Sequence, residues 1–281
     1  MRLFSLKAAP VAIAQICGFP HSALSLVQVA HRPSVVNSPY FLQTVTSDGA
    51  QFLYKGATLP RIHFQQQLAA LKDKLLAMAA LSQQAVISSV DAYLQRDAGL
   101  CQYVRENETA INAAQREVDE MAYELLAQEQ PMAIDLRFIL AVIKINGDLE
   151  RVGDQSMSIA IRTQELLEYP AVELPVDIAS MGEHAARMVR SAIQALLDAD
   201  AQFADAVVVM DDEIDRMNRV ARSELMKVME EQSEISLQAL NAIIIARALE
   251  RIADHATNIA RDVIFWIRGA DIRHQVSSAI D

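Results

Sequence analysis

Glu250 and Asp254 stand four residues apart in ARALERIADHATNIA, residues 246–260, a stretch with the composition of a helix. On a helix that spacing puts both carboxylates on one face, where like charges repel by roughly 0.2–0.5 kcal/mol. Two readings compete. Either Arg247 and Arg251 neutralise the pair on a solvated face, or the pair faces a cation.

The second reading gains weight from a duplication. Residues 143–160, IKINGDLERVGDQSMSIA, lie over residues 243–260, IIIARALERIADHATNIA, without a gap and with eight of eighteen positions identical. Glu150 and Asp154 repeat Glu250 and Asp254 at an offset of 100 residues, and Arg151 repeats Arg251. Such self-similarity is the mark of a repeated structural unit. An acidic partner precedes each copy: MDDEID places Asp211 and Asp215 at i and i+4, and ENETAIN places Glu108 and Asn112 at the corresponding positions.

Carboxylates that converge raise one another's proton affinity unless a cation relieves them. Glu250, Asp254, the amide oxygen of Asn258 a further turn on, and Asp211 and Asp215 form an oxygen-only donor set suited to Mg²⁺, Mn²⁺ or iron. Zinc is a poorer match, since a structural zinc site favours Cys or His. In the first copy the set is Glu150, Asp154 and Glu108, with Ser158 opposite Asn258 and Asn112 opposite Asp215. The second copy is the richer one. His255 projects about 100° away from Asp254 and reads as a packing or surface residue. Arg151 and Arg251 either orient the neighbouring carboxylates or form surface salt bridges. Gly153 and Ala253 share a repeat position at which a small side chain permits close helix packing.

Helices must position these residues. The chain has 281 residues, 52% of them hydrophobic but only 5% aromatic. The apolar residues are mainly Ala, Leu, Ile, Val and Met, which favours an all-α fold. Phe64, Leu68, Leu71, Leu75, Met78, Leu81 and Ala85 step by three and four, as do Met210, Ile214, Met217, Ala221, Leu225 and Val228. Each set is the stripe an amphipathic helix buries. Breaks near Asp97–Gly99, Gln130–Pro131, Pro170–Pro175, Asp200 and Gln232–Ser233 predict helices over 61–96, 99–128, 131–168, 176–199, 202–231 and 234–268. Pro131 suits a first helical position and Gly269 a C-terminal stop. Six antiparallel helices and one duplication resolve into two tandem, similar three-helix bundles, 61–170 and 175–270.

Residues 1–60 differ in character. Eight Pro and Gly residues interrupt them, and they carry 4 Lys/Arg against 1 Asp/Glu, leaving 21 against 35 for the remainder of a chain of net charge −11. They read as a poorly ordered extension. Arg2 and Lys7 precede the apolar run AAPVAIAQICGF, but Pro10 and Gln15 interrupt it and Ile16 before Cys17 is bulky for a lipoprotein site. A signal peptide is therefore not the expectation. No run of about 18 uncharged apolar residues occurs in the body, so no membrane insertion is expected. The acidic body disfavours nucleic acid and anionic lipid as partners. Cys17 and Cys101, the only cysteines, suit a reducing compartment.

DLERVGD, ALERIADHATNIA, PMAIDLR and DVIFWIRGADIRH resemble the PhoU family of phosphate-specific transport system accessory proteins. The resemblance covers about 61–275. It implies a cytoplasmic, non-enzymatic negative regulator, often a homodimer, that couples the phosphate ABC transporter to a sensor histidine kinase and represses the starvation response when phosphate is plentiful. It also implies metal ions, among Fe, Mn, Mg or Zn, on the acidic faces at Glu150, Asp154, Glu250, Asp254 and Asn258, with Asp211 and Asp215 opposite.

The residues themselves show no phosphate-binding glycine loop, nucleophile elbow or Cys/His pair. The alternative is a carboxylate-bridged di-metal oxidase, whose Glu-x-x-His pairs are missing from the predicted helices. Asp271 and His274 fall beyond Gly269. A bundle whose acidic faces bind nothing is the third possibility.

Overall fold

A computed structural model describes residues 59–129 and 131–269. The expected extension over 1–60, apart from its last two residues, lies outside them, as do Cys17, Asp271 and His274. The described residues form α1 (Leu59–Gln95), α2 (Ala98–Gln128), α3 (Ala133–Leu166), α4 (Ile178–Asp198), α5 (Ala201–Glu231) and α6 (Ser236–Arg268). One 3₁₀ turn, Ser233–Ile235, leads into α6, and no strand occurs among the described residues.

The boundaries follow local chemistry. Asp97, Asp177 and Asp200 cap α2, α4 and α5 by accepting hydrogen bonds from first-turn N–H groups that lack helical partners. Gly269 ends α6 in the left-handed conformation, φ 71°, as expected of a glycine stop. The start of α3 is a correction. Pro131 precedes the helix, because Met132 is extended (φ −68°, ψ 161°) and its carbonyl accepts the first helical bond, from Leu136 N–H.

α1–α2–α3 pack on one another as one bundle and α4–α5–α6 as a second, and the bundles join through α3 against α6 and α1 against α4. One large apolar core runs through both, including Leu71, Leu75, Met78, Ile139, Leu149, Met188, Leu196 and Ile214, with smaller clusters around Cys101 and Leu225. Phe64, Leu68 and Ala85 of the predicted α1 stripe are buried with it, and Leu81 is half-buried. Buried asparagines tie α2 in place: Asn107 Nδ2 donates to Leu81 O, and Asn146 Nδ2 donates to Gln115 O and Asp119 Oδ1. Cys101 is buried, and that burial pushes its thiol up.

Ile62–Gln95 of α1 is long and apolar enough to cross a membrane by length and composition, although Lys72, Asp73, Lys74 and Asp91 interrupt it. Its apolarity has a local cause. α1 touches α2, α3 and α4, so 56% of its most apolar window lies inside the bundle.

α3 and α6 run antiparallel. Near one end the Arg137 Nε–H donates to Trp266 O at 3.2 Å, and Phe138 meets the Trp266 ring at 5.0 Å between centroids. Lys144 Nζ donates to Asp262 Oδ1 at 3.3 Å, and further along His255 Nδ1 lies 2.8 Å from Asp148 Oδ1.

Candidate metal-binding faces

Packing of α5 on α6 brings the second acidic set together. Asp211, Asp215 and Glu250 are half-buried, and Asp254 lies at the exposed edge of the set. Burial pushes the carboxyls of Asp211, Glu250 and Asp254 above their usual range, and their own neighbours add to it: Asp254 and Asp215 act on Asp211, the same two on Glu250, and Asp215 on Asp254. Carboxylates perturb one another in this way when they lie near each other.

The counter-charges are weaker. Arg247 and Arg251 draw Glu250 down, and His255, Arg261 and Arg251 draw Asp254 down, in each case against the larger effect of burial. Among the described residues Arg151 and Arg251 make no hydrogen bond to a motif carboxylate, so they act on it through charge alone. Asp215 is 4.0 Å from Arg219 Nη1, at the limit of an ion pair.

Asp211 carries the most telling atom. Its Oδ1 is buried without a hydrogen-bond partner. The Thr257 hydroxyl favours the charged form of Asp211, yet the two complete no hydrogen bond, and Thr257 Oγ1 is itself buried and unpartnered. An unsatisfied carboxylate oxygen costs more than a neutral one, so its persistence among other carboxylates marks a place where a cation would be stabilising. Asn258 stands one turn beyond Asp254, where its Oδ1 accepts from Arg261 Nη1 at 3.4 Å.

The first acidic set is thinner. Burial raises Glu150, Asp154 and Glu108 add to it, and Arg151 and His255 oppose it. Asn112 Nδ2 donates to Glu108 Oε1 at 2.5 Å, so an amide binds this carboxylate where the second copy offers Asp215. Among the described residues no group of three or more His, Cys, Asp or Glu side chains is arranged to hold a metal ion as the side chains stand. The donor chemistry and the orphaned Asp211 oxygen fit a hard cation.

His255 is a correction in detail. It is neither on the surface nor merely packed, because it makes a polar contact to Asp148 across the two bundles. Sequence reasoning passed over Asp148, Thr257 and Arg261. Their repeat mates are Ala248, Met157 and Ile161, so the duplication gave no signal for them.

Comparison with known proteins bears on the fold and the duplication. The PhoU domain profile matches twice, over residues 75–163 and 178–263. The "Phosphate-specific transport system accessory protein PhoU homolog" of Pseudomonas aeruginosa is 39% identical over 214 residues, spanning 75% of this chain and 88% of that protein. The corresponding Escherichia coli K12 protein is 27% identical over 218 residues, spanning 78% and 90%. The crystal structure of PhoU from Pseudomonas aeruginosa superposes with a TM-score of 0.71 at 38% identity, covering 74% of this chain and all of that one. PhoU from Streptococcus pneumoniae gives 0.69 at 25% identity, covering 74% and 98%. With both repeats matched and the helical bundle shared, the chain belongs to the PhoU family.

Proposed function

We propose that this protein is a non-enzymatic accessory regulator of phosphate uptake. It couples a phosphate ABC transporter to a sensor histidine kinase and holds the starvation response off when phosphate is plentiful. The observation that carries the reading is the convergence of Asp211, Asp215, Glu250 and Asp254 on one face of a duplicated bundle, in a chain whose relatives are named as accessory proteins of phosphate-specific transport. The protein acts from the cytoplasm as a homodimer.

A hard divalent or ferric cation would be held in the second repeat by Asp211, Asp215, Glu250 and Asp254, with Asn258 beside them. Glu108, Glu150 and Asp154 would form a weaker site in the first. When bound, the metal neutralises the carboxylates and supplies no turnover. Glu250 and Asp254 present the charge, Asp211 contributes its otherwise bare oxygen, and Arg247, Arg251 and Arg261 limit the excess.

Deleting the gene should derepress phosphate-scavenging genes in phosphate-rich medium, read with a transcriptional reporter. Unchanged expression would rule the regulatory reading out. Oxygen consumption on adding ferrous iron to the purified protein would instead favour the di-metal oxidase.

A further inference from the structure

Asp211 and Asp215 meet Glu250 and Asp254 only as far as α5 keeps its place beside α6, and α5 carries a polar tie to α4. His184 of α4, half-buried, has its Nε2 2.9 Å from Met210 O, the carbonyl immediately before Asp211. A carbonyl only accepts, so the ring N–H sits on Nε2. Nδ1 is then the acceptor, and Arg187 Nη2 donates to it at 3.4 Å from the next turn of α4. Both contacts fit one neutral tautomer.

The first repeat has a tie at the same place, built differently. Asn107 stands on α2 immediately before Glu108, as Met210 stands before Asp211, and its Nδ2 donates to Leu81 O of α1 at 2.8 Å. In the first repeat the middle helix donates through a side chain, and in the second it accepts through its backbone. Two unlike side chains thus make one link, from the first helix of each bundle to the residue that precedes the first acidic residue of the middle helix. A hydrogen bond is directional, so it fixes both the rotation and the height of a helix that apolar packing alone holds less sharply. Met210 lies about 100° round α5 from Asp211, which leaves the acidic face clear. Because α4 also packs on α6, the tie refers α5 to the helix that carries Glu250 and Asp254.

We propose that His184 is a positioning residue for a metal ion on the second acidic face, its Nε2–H on Met210 O holding the turn of α5 that bears Asp211 in register with Glu250 and Asp254. This role rests on the metal reading of that face and adds to it a side chain that touches no metal. Arg187 supports it by keeping the proton on Nε2. A ligand set tolerates displacement of only about 0.5 Å before affinity suffers, so losing the tie acts on binding more than on folding.

Isothermal titration of the chelator-treated full chain with Mn²⁺ tests this, with the metal-free melting temperature measured alongside. His184→Phe keeps a ring and removes the donor, whereas His184→Gln keeps an N–H at a similar reach. Mn²⁺ binding should weaken about three- to tenfold in His184→Phe and stay within about twofold of wild type in His184→Gln. His184→Ala takes the place of His184→Phe if the ring variant folds poorly. Unchanged Mn²⁺ affinity in the variant without a donor, whatever its melting temperature, overturns the positioning role alone. An equal loss in His184→Gln overturns it too, since the ring rather than the hydrogen bond would then matter. A wild type that takes up no Mn²⁺ overturns the metal reading, and the positioning role with it.

Discussion

His255 Nδ1 on α6 lies 2.8 Å from Asp148 Oδ1 on α3, a polar contact between the two repeats, and both side chains are less than one-fifth exposed. An ionised carboxylate only accepts, so the proton sits on His255 Nδ1. The pair is shielded enough to escape the near-zero value of surface ion pairs. A double-mutant cycle of Asp148→Ala and His255→Ala by urea unfolding should give a coupling of about 1 kcal/mol. Strict additivity of the two substitutions would show that the contact contributes nothing to the joint between bundles.

The close approach of α4 to α1 sets a second expectation. A Cβ at Gly182 would meet both Val90 methyls at 2.7 Å and Val90 Cβ at 3.2 Å. Val90 is β-branched and buried, so it has no rotamer to escape into. Gly182→Ala should destabilise by about 1–3 kcal/mol, as overpacking does, and Val90→Ala in the same chain should recover part of the loss. Gly153→Ala should cost less, because its nearest neighbour is the terminal Ile111 Cδ1 at 3.0 Å. Equal costs at the two glycines would contradict this geometry.

The helices and the acidic faces were legible because each leaves a periodic or repeated trace. Phe64 to Ala85 showed one buried stripe, and Asp97, Asp200 and Gly269 punctuated the chain with side chains or φ angles that helix ends require. Glu250 and Asp254 were found because Glu150 and Asp154 echo them. What escaped is what breaks the echo. Asp148 and His255 meet only once the antiparallel order of α3 and α6 is known, and His184 reaches Met210 only once α4 lies beside α5. Arg96 adopts φ 53° outside any glycine signal, with its side chain bound to the end of α3.

Asp177 supplies a pH dependence with a definite sign. The Ser180 hydroxyl and backbone N–H both donate to this N-cap and hold its carboxyl below the usual range. A lowered folded pKa means the stabilisation is complete above the ordinary carboxylate pKa and is lost as pH falls through the lowered value. Asp177→Ala should cost about 1 kcal/mol at neutral pH and progressively less in acid. Asp177→Asn, which still accepts from Ser180, should retain most of the stability and flatten that part of the pH profile. An Asp177→Ala deficit that stays constant into strong acid would remove the cap from the account.

The acidic face of the second repeat yields opposite expectations with and without metal. In chelator-treated protein Asp254 is crowded by Asp215 and Asp211 in a partly desolvated place, so Asp254→Asn should raise the melting temperature, and added salt should shrink the gain by screening the same repulsion. With Mn²⁺ or Fe²⁺ present the order should reverse, because a ligand bound only by the folded state adds stability that grows with the logarithm of its concentration over its Kd. The wild type should then gain stability that Asp254→Asn does not, and elemental analysis should find metal in the wild type but not in a Glu250→Ala/Asp254→Ala variant. Asp154→Asn should respond less in both conditions, since its set lacks a counterpart of Asp215 and Asn112 already engages Glu108. Equal metal content in wild type and double variant would place any bound ion elsewhere, and a destabilising Asp254→Asn in metal-free protein would show that the repulsion is already relieved by His255, Arg261 and Arg251.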